Sequence, residues 1–391
     1  MEELENQLIR ETAGTISRLL HGEDVPPVAI PPANCSRSLQ ELVEVTNMLV
    51  RNFAESRRFL EMLSHGNLNV DPPPRNLLLS PFKQLHSNLR HLVWQTHQVS
   101  KGDLSQRVDF LGTFSDAFNS MIASLREKRC VEEALRAANA TIMEGIQYAQ
   151  TIQSALLPRE ADIRQVTRDY CCIWRPRDLI GGDMFAFETA PKGLVVAVMD
   201  CTGHGVPGAI MTMIARTCLA RAIQEEGYED PAAVLACLNR LVQQTLNQHR
   251  KDTPSDDGLD IGFCYVNKKE EILTFAGAKI SLFFLLDQRV QEVRPDKQSI
   301  GYKTSSLDFT YTNHRVEAGR GIPFYMTTDG LTDQIGGPRG FPFGKRRFWT
   351  VIAERWDVPM PEQMKALELR FDRWRGAEPQ VDDVTCVGFC M

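Results

Sequence analysis

No apolar run in this chain of 391 residues approaches the roughly 18 to 20 residues needed to cross a bilayer. The opening stretch MEELENQLIRETAG is too polar for a secretory leader. These two absences argue against a membrane span and point to the cytoplasm. An excess of one charge is also missing: 44 Lys and Arg against 50 Asp and Glu leave a formal net charge of -6, so nucleic acid is not expected as the partner. The 10 cysteines lack C-x-x-C spacing and lie in apolar surroundings, as Cys172, Cys218 and Cys237 do. They read as reduced core thiols rather than zinc ligands or disulfides. Two catalytic loops are missing as well. The glycines of TGHGVPG lack Walker spacing, with no Lys-Ser or Lys-Thr behind them, and Arg175 follows Cys171 and Cys172 too soon for a Cys-x5-Arg phosphatase loop.

What is present divides the chain near Pro158. Before it helical periodicity dominates; after it short apolar runs alternate with turns. The expected segments are a helical module over residues 1–128, a coiled-coil linker over 129–157 and a catalytic domain over 158–391. In the first, SHGNLNV (64–70) returns as SKGDLSQRV (100–108), and each copy leads to an apolar helix opening near Phe82 or Phe114. This order of helix, Gly-x-Leu turn, connector and helix resembles tandem HAMP-like signalling modules, which implies dimerisation as a parallel four-helix bundle. A plain helical spacer reads equally well. Leu135, Ala138, Ile142, Gly145, Ala149, Ile152 and Leu156 alternate three and four residues apart, a coiled-coil seam weakened by its small members. Phe118, Met121 and Leu125 follow a register three residues out of step, as a stammer gives. The stretch suits either a switch helix or a harmless irregularity.

The second half repeats one theme, strands that meet carboxylates. LVVAVMD ends on Asp200, IPFYMTTDGLTD runs into Asp329 and Asp333, RPRDLIGGDMFAF carries Asp183 behind a Gly-Gly pair, and Asp382 and Asp383 open the alternating VDDVTCVGFC. One Asp-Gly at a strand end is an ordinary turn. Several such acids gathered on one rim repel one another unless cations neutralise them, and oxygen ligands suit Mg²⁺ or Mn²⁺ better than zinc.

In chain order, IGGDMF (180–185), MDCTGHGVPGA (199–209), TTDGLTDQ (327–334) and DDVTCV (382–387) resemble the metal-dependent serine/threonine phosphatases of the PP2C superfamily, in the bacterial SpoIIE/RsbU branch. MEGIQYAQTIQSALLP (143–158), FAGAKISLFFL (275–285) and KQSIGY (297–302) extend the likeness, and within the branch the chain resembles the SiaA-like phosphatases of partner-switching systems. The resemblance implies an α+β fold, a β-sandwich of two antiparallel sheets flanked by helices, with two divalent cations, Mn²⁺ or Mg²⁺, at one end. Asp200 would bridge the ions and the Cys201 backbone carbonyl would bind the first, with Asp183 on the same side. Asp329 and Asp382 would bind the second, with Asp383 ranked below them because relatives often have Asn there, and Asp333 lower still. His204 lies four positions after Asp200 and reads either as the proton donor to the leaving group or as a turn histidine. Arg175 and Arg177 would hold the substrate phosphate or form a solvated basic loop. No acid follows Asp183 closely, where many relatives carry one.

The implied substrate is a small phosphoprotein, a STAS-type anti-sigma antagonist or a SiaC-like protein. The seam through Leu135, Ile142, Ala149, Ile152 and Leu156 would be the regulatory helix of a homodimer. Two readings compete: a phosphatase-shaped scaffold that binds its partner without turnover, against which the full acid set speaks, and a two-metal phosphodiesterase, which lacks its usual histidine-rich ligands. The glycine- and proline-rich QIGGPRGFPFGKRRF (334–348) reads as a flap for a protein partner or as a connecting loop.

Overall fold

The computed structural model describes residues 2–250, 252–286, 289–319 and 321–391, in two compact units, 1–138 and 139–391. In the first, α1 (Glu2–Leu20), α2 (Arg37–Ser64), α3 (Ser80–Ser100) and the opening of α4 (Thr113–Leu156) follow one another. The first three helices stop in the same way. The amides of Gly22, Gly66 and Gly102 donate to the carbonyl three residues back, and those of the following residues reach five back. These glycines have φ of 80, 77 and 93 degrees, left-handed values that cost other residues about 1–2 kcal/mol.

The sequence repeat therefore has three copies, the first at His21-Gly22, hidden from sequence reading by a long proline-rich connector. Two connectors are latched by asparagine. Asn47 exchanges bonds of 2.7 and 2.8 Å with the backbone of Val28, and Asn119 does so with Val108 at 3.0 and 2.6 Å. Val28 is buried with Leu8, Leu39 and Val43, and Val108 with Phe118 and Ile122. The shift in seam register leaves α4 unbroken: Phe118 turns into this small core while Met121 and Leu125 stay exposed.

The second unit takes the end of α4, then α5 (Glu160–Val166), β1 (Asp169–Arg175), β2 (Asp183–Ala190), β3 (Gly193–Cys201), α6 (Gly205–Glu226) and α7 (Pro231–Thr245). Next come β4 (Leu259–Asn267), β5 (Ile272–Ala278), β6 (Leu282–Leu286), β7 (Arg289–Val293), β8 (His314–Glu317), β9 (Pro323–Thr327) and α8 (Asp329–Asp333). A small hairpin of β10 (Ile335–Gly336) and β11 (Phe341–Pro342) precedes α9 (Gly344–Glu354), α10 (Met360–Arg375) and β12 (Val384–Cys390). Two antiparallel five-stranded sheets result, ordered β1-β12-β9-β6-β7 and β2-β3-β4-β5-β8.

Alternation along each strand builds the layers. Leu194, Val196 and Val198 of β3 face the other sheet, meeting Phe324, Met326 and Phe389. Val195, Ala197 and Met199 face a second layer that includes Leu219 of α6 and Leu238 of α7. Tyr325 and Cys386 pack outward with Phe348 of α9 and Leu367 of α10. Among the described residues α6 alone is long and apolar enough to cross a membrane, and its Ala215, Leu219 and Ala222 are buried in this core. The expected sandwich flanked by helices is the observed fold.

Candidate metal centre

The stripe between the sheets ends in acid. Asp183 is in register with Asp200, and Asp200 with Asp260, so the apolar row of Phe185, Val198 and Gly262 gives way two residues later to three carboxylates at one edge. From the other sheet, β9 runs out at Thr327 and Asp329 opens α8, while Asp382 and Asp383 immediately precede β12. Gly330 permits this approach, because a Cβ there would collide with the Asp383 carbonyl. Asp329 and Asp200 lie within hydrogen-bonding reach of each other.

Such crowding has an electrostatic signature. Burial, opposed in part by a 2.7 Å bond from the Thr328 hydroxyl and aided by the Asp383 charge, pushes the Asp183 carboxyl up to about 8. Burial and then the charges of Asp183, Asp329 and Asp260 hold Asp200 well above the ordinary carboxylate range. Asp260 Oδ1 is buried without a hydrogen-bond partner. Main-chain oxygens join the acids: a Cβ on Gly182 would stand 2.7 Å from the Cys201 carbonyl oxygen and collide with that of Gly203, so glycine there lets both carbonyls lie beside Asp183. An all-oxygen donor set with an orphaned carboxylate oxygen fits a hard divalent cation. Among the described residues no three acid, histidine or cysteine side chains already surround one point, so a cation would have to draw them inward.

Asp383 has a different task. Its two oxygens accept from the amides of Arg177 and Gly182, each at 2.6 Å, and a Cβ on Gly181 would press on the carboxylate at 2.6 Å. The side chain therefore holds the loop that delivers Asp183. Replacing Asp383 with Ala strands two amides, each costing about 1–3 kcal/mol if left unpaired. The variant is expected to melt several degrees lower and to need more metal for the same activity; unchanged melting would refute the latch.

The remaining sequence candidates separate. His204 caps α6 and its Nδ1 bonds Asp178 at 2.9 Å, half exposed beside the acids. Arg175 pairs with Asp372 at 2.8 Å and lies over Phe371, which leaves it engaged away from the acids. Arg177 is exposed, and Asp333 is exposed at the end of α8. The glycine-rich stretch forms the β10–β11 hairpin, pinned to α10 where the Gly337 amide meets the Trp374 carbonyl at 2.7 Å and the Trp374 indole donates to Phe341 at 3.1 Å. Sequence reading missed Asp178, Asp260 and Thr328. Asp260 had a usable signal, since LDIGFCYV is another acid beside an alternating strand; Asp178 had none.

A family model described as Stage II sporulation protein E (SpoIIE) matches residues 190–391. Among solved structures, the SiaA-PP2C domain of Pseudomonas aeruginosa is 35% identical, with a TM-score of 0.58, over 65% of this chain and 98% of that one. The PP2C phosphatase domain and regulatory fragment of SpoIIE from Bacillus subtilis is 16% identical, with a TM-score of 0.44, over 56% of this chain and 60% of that one. The RsbU and RsbW domains of a Mycobacterium tuberculosis protein give 19%, 0.45, 56% and 58% for the same measures. A search of curated proteins finds none that matches. With the two-sheet fold and the matched residues in agreement, the chain belongs to the SpoIIE family and carries a PP2C-type phosphatase domain of the SpoIIE/RsbU/SiaA branch.

Proposed function

We propose that this chain is a metal-dependent protein serine/threonine phosphatase that acts in the cytoplasm on a small phosphoprotein of a partner-switching pathway, either a STAS-type anti-sigma antagonist or a SiaC-like protein. The observation that carries the reading is the convergence of Asp183, Asp200, Asp260, Asp329 and Asp382 at one edge of the sandwich. Asp183, Asp200 and the Cys201 carbonyl would hold one Mn²⁺ or Mg²⁺, and Asp200, Asp329 and Asp382 a second. Bound there, two such ions supply an acidified water and neutralise phosphoryl oxygens. The chain's own groups do the rest. The Asp178 carboxylate fixes the His204 ring through Nδ1, leaving Nε2 to protonate the departing seryl oxygen. Arg177, exposed on the loop before Asp183, offers its guanidinium to the incoming phosphoprotein.

The exposed seam of Leu135, Ile142 and Ile152 supports a homodimer through α4, with the N-terminal helices as a HAMP-like input. The test is release of phosphate from a phosphoserine peptide by the full chain. Turnover is expected with Mn²⁺ and not with EDTA. Metal binding without turnover on peptide or phosphoprotein would instead leave a binding scaffold.

A further inference from the structure

We propose that Lys279 is the residue that receives the substrate's phosphoryl group, a role for which sequence alone offered Arg175 and Arg177; the proposal rests on the phosphatase reading and names the anion subsite of that same centre. Three non-glycine residues have positive φ among the described residues. Asn247 closes α7, Glu271 turns between β4 and β5, and Lys279, at φ 67 degrees, breaks the run from β5 to β6 beside the acids. A lysine held this way costs about 1–3 kcal/mol, a strain that persists only where surrounding structure enforces it.

The enforcement is visible. The Lys279 amide donates to the Asp296 carbonyl at 3.0 Å, the Asp296 amide to Gly277 at 2.8 Å and the Ile280 amide to Ala278 at 2.9 Å. Ala278 and Ile280 are buried on either side, and Lys279 alone stands out between them. It lines a cleft of about 280 Å³ whose other walls include Asp200, Asp260, Asp329, Thr328 and Ser281.

Charge bookkeeping explains why a cation belongs there. Two divalent ions do not fully balance five carboxylates, so a phosphomonoester would meet residual negative charge at the mouth of the cleft. The second lysine of the cleft, Lys345, is tied to Glu292 at 2.8 Å. The Lys279 ammonium has neither a hydrogen bond nor an ion pair among the described residues, and its field reaches Asp260. The kink thus presents one unpaired positive charge to an anion seated over the acids.

The test uses the full chain loaded with Mn²⁺ and three variants. Lys279→Gly and Lys279→Asn accept the left-handed backbone, whereas Lys279→Arg keeps the charge. The Gly and Asn variants are expected to melt no lower than the parent and to keep its Mn²⁺-induced thermal shift. Their KM for a phosphoserine peptide and their inhibition constant for inorganic phosphate should each rise about tenfold or more, the scale of one charge-assisted hydrogen bond, and arginine should restore most of the loss. Thermal stabilisation by inorganic phosphate reads the same subsite without turnover. Phosphate stabilisation that is absent in the parent, or equal in parent and Gly variant, overturns the Lys279 subsite even if the enzyme turns over. A parent that never turns over, yet loses its phosphate shift on Lys279→Gly, refutes the phosphatase and retains the subsite.

Discussion

Replacing Asp200 with asparagine is expected to lower Mn²⁺-dependent hydrolysis by about a thousandfold or more, the equivalent of roughly 4 kcal/mol in the barrier, while raising the melting temperature of the metal-free protein. The two effects share one cause. Asp200 stands between Asp183 and Asp260 on adjacent strands and reaches Asp329 from the other sheet. Without a cation its charge is opposed by burial and by those neighbours. A neutral amide of the same shape removes that repulsion, worth about 1 kcal/mol, or roughly 2–4 °C in a unit of this size. The same amide weakens cation binding. A ligand present at a hundred times its Kd stabilises by about 2.7 kcal/mol, and most of the Mn²⁺-induced shift should vanish. Thermal melts with EDTA and with Mn²⁺ separate the terms. A metal-free variant that melts lower than its parent, or one that retains turnover, would show that Asp200 is a packing residue and that the acids are not the metal site.

How far the site could be read from sequence follows from where its information resides. Asp200 was legible because the unbroken apolar run LVVAVM stops on an acid. Asp329 and Asp183 were legible in the same way, from β9 running into Asp329 and from Asp183 heading β2. The sandwich was legible only through the family resemblance of the motifs that carry these acids, not from the strands and turns by themselves. Asp383 was legible as an acid but not as a latch, because its partners, the amides of Arg177 and Gly182, are assembled only when β12 lies beside β1. Lys279 was hidden for a related reason. FAGAKISLFFL was legible only as part of the family likeness, with no proline or turn pair at Lys279, and only the pull of the Asp296 carbonyl on the Lys279 amide shows that the chain breaks there, beside the acids. Arg175 illustrates the converse: its proximity to Asp183 in sequence suggested a phosphate ligand, whereas β1 carries it to Asp372.

Gln153 was not read as functional at all, and its substitution by leucine should produce the second large effect. It lies in the last turn of α4, only 1% exposed. Its amide donates to the Gly181 carbonyl at 2.6 Å and accepts from the Gly181 amide at 3.2 Å, with Thr212 of α6 as a further acceptor at 3.2 Å. Gly181 adjoins Gly182, whose carbonyl receives the Cys201 amide at 3.0 Å and whose own amide is held by Asp383. One amide side chain thus joins the end of a 44-residue helix to the loop that positions Asp183 and the Cys201 carbonyl. Leucine fills the space but leaves both backbone groups of Gly181 buried and unpaired, at about 1–3 kcal/mol each. The expected result is a lower melting temperature together with a tenfold or greater rise in the Mn²⁺ concentration for half-maximal activity, while Gln147→Ala, at an exposed position of the same helix off the seam, leaves the metal requirement unchanged. If Gln153→Leu lowers stability but not metal affinity or turnover, the contact is only packing. If both fall, rotation or fraying of the last turn of α4 reaches the metal ligands through two hydrogen bonds, and an input acting on that helix can set activity without touching the acids themselves.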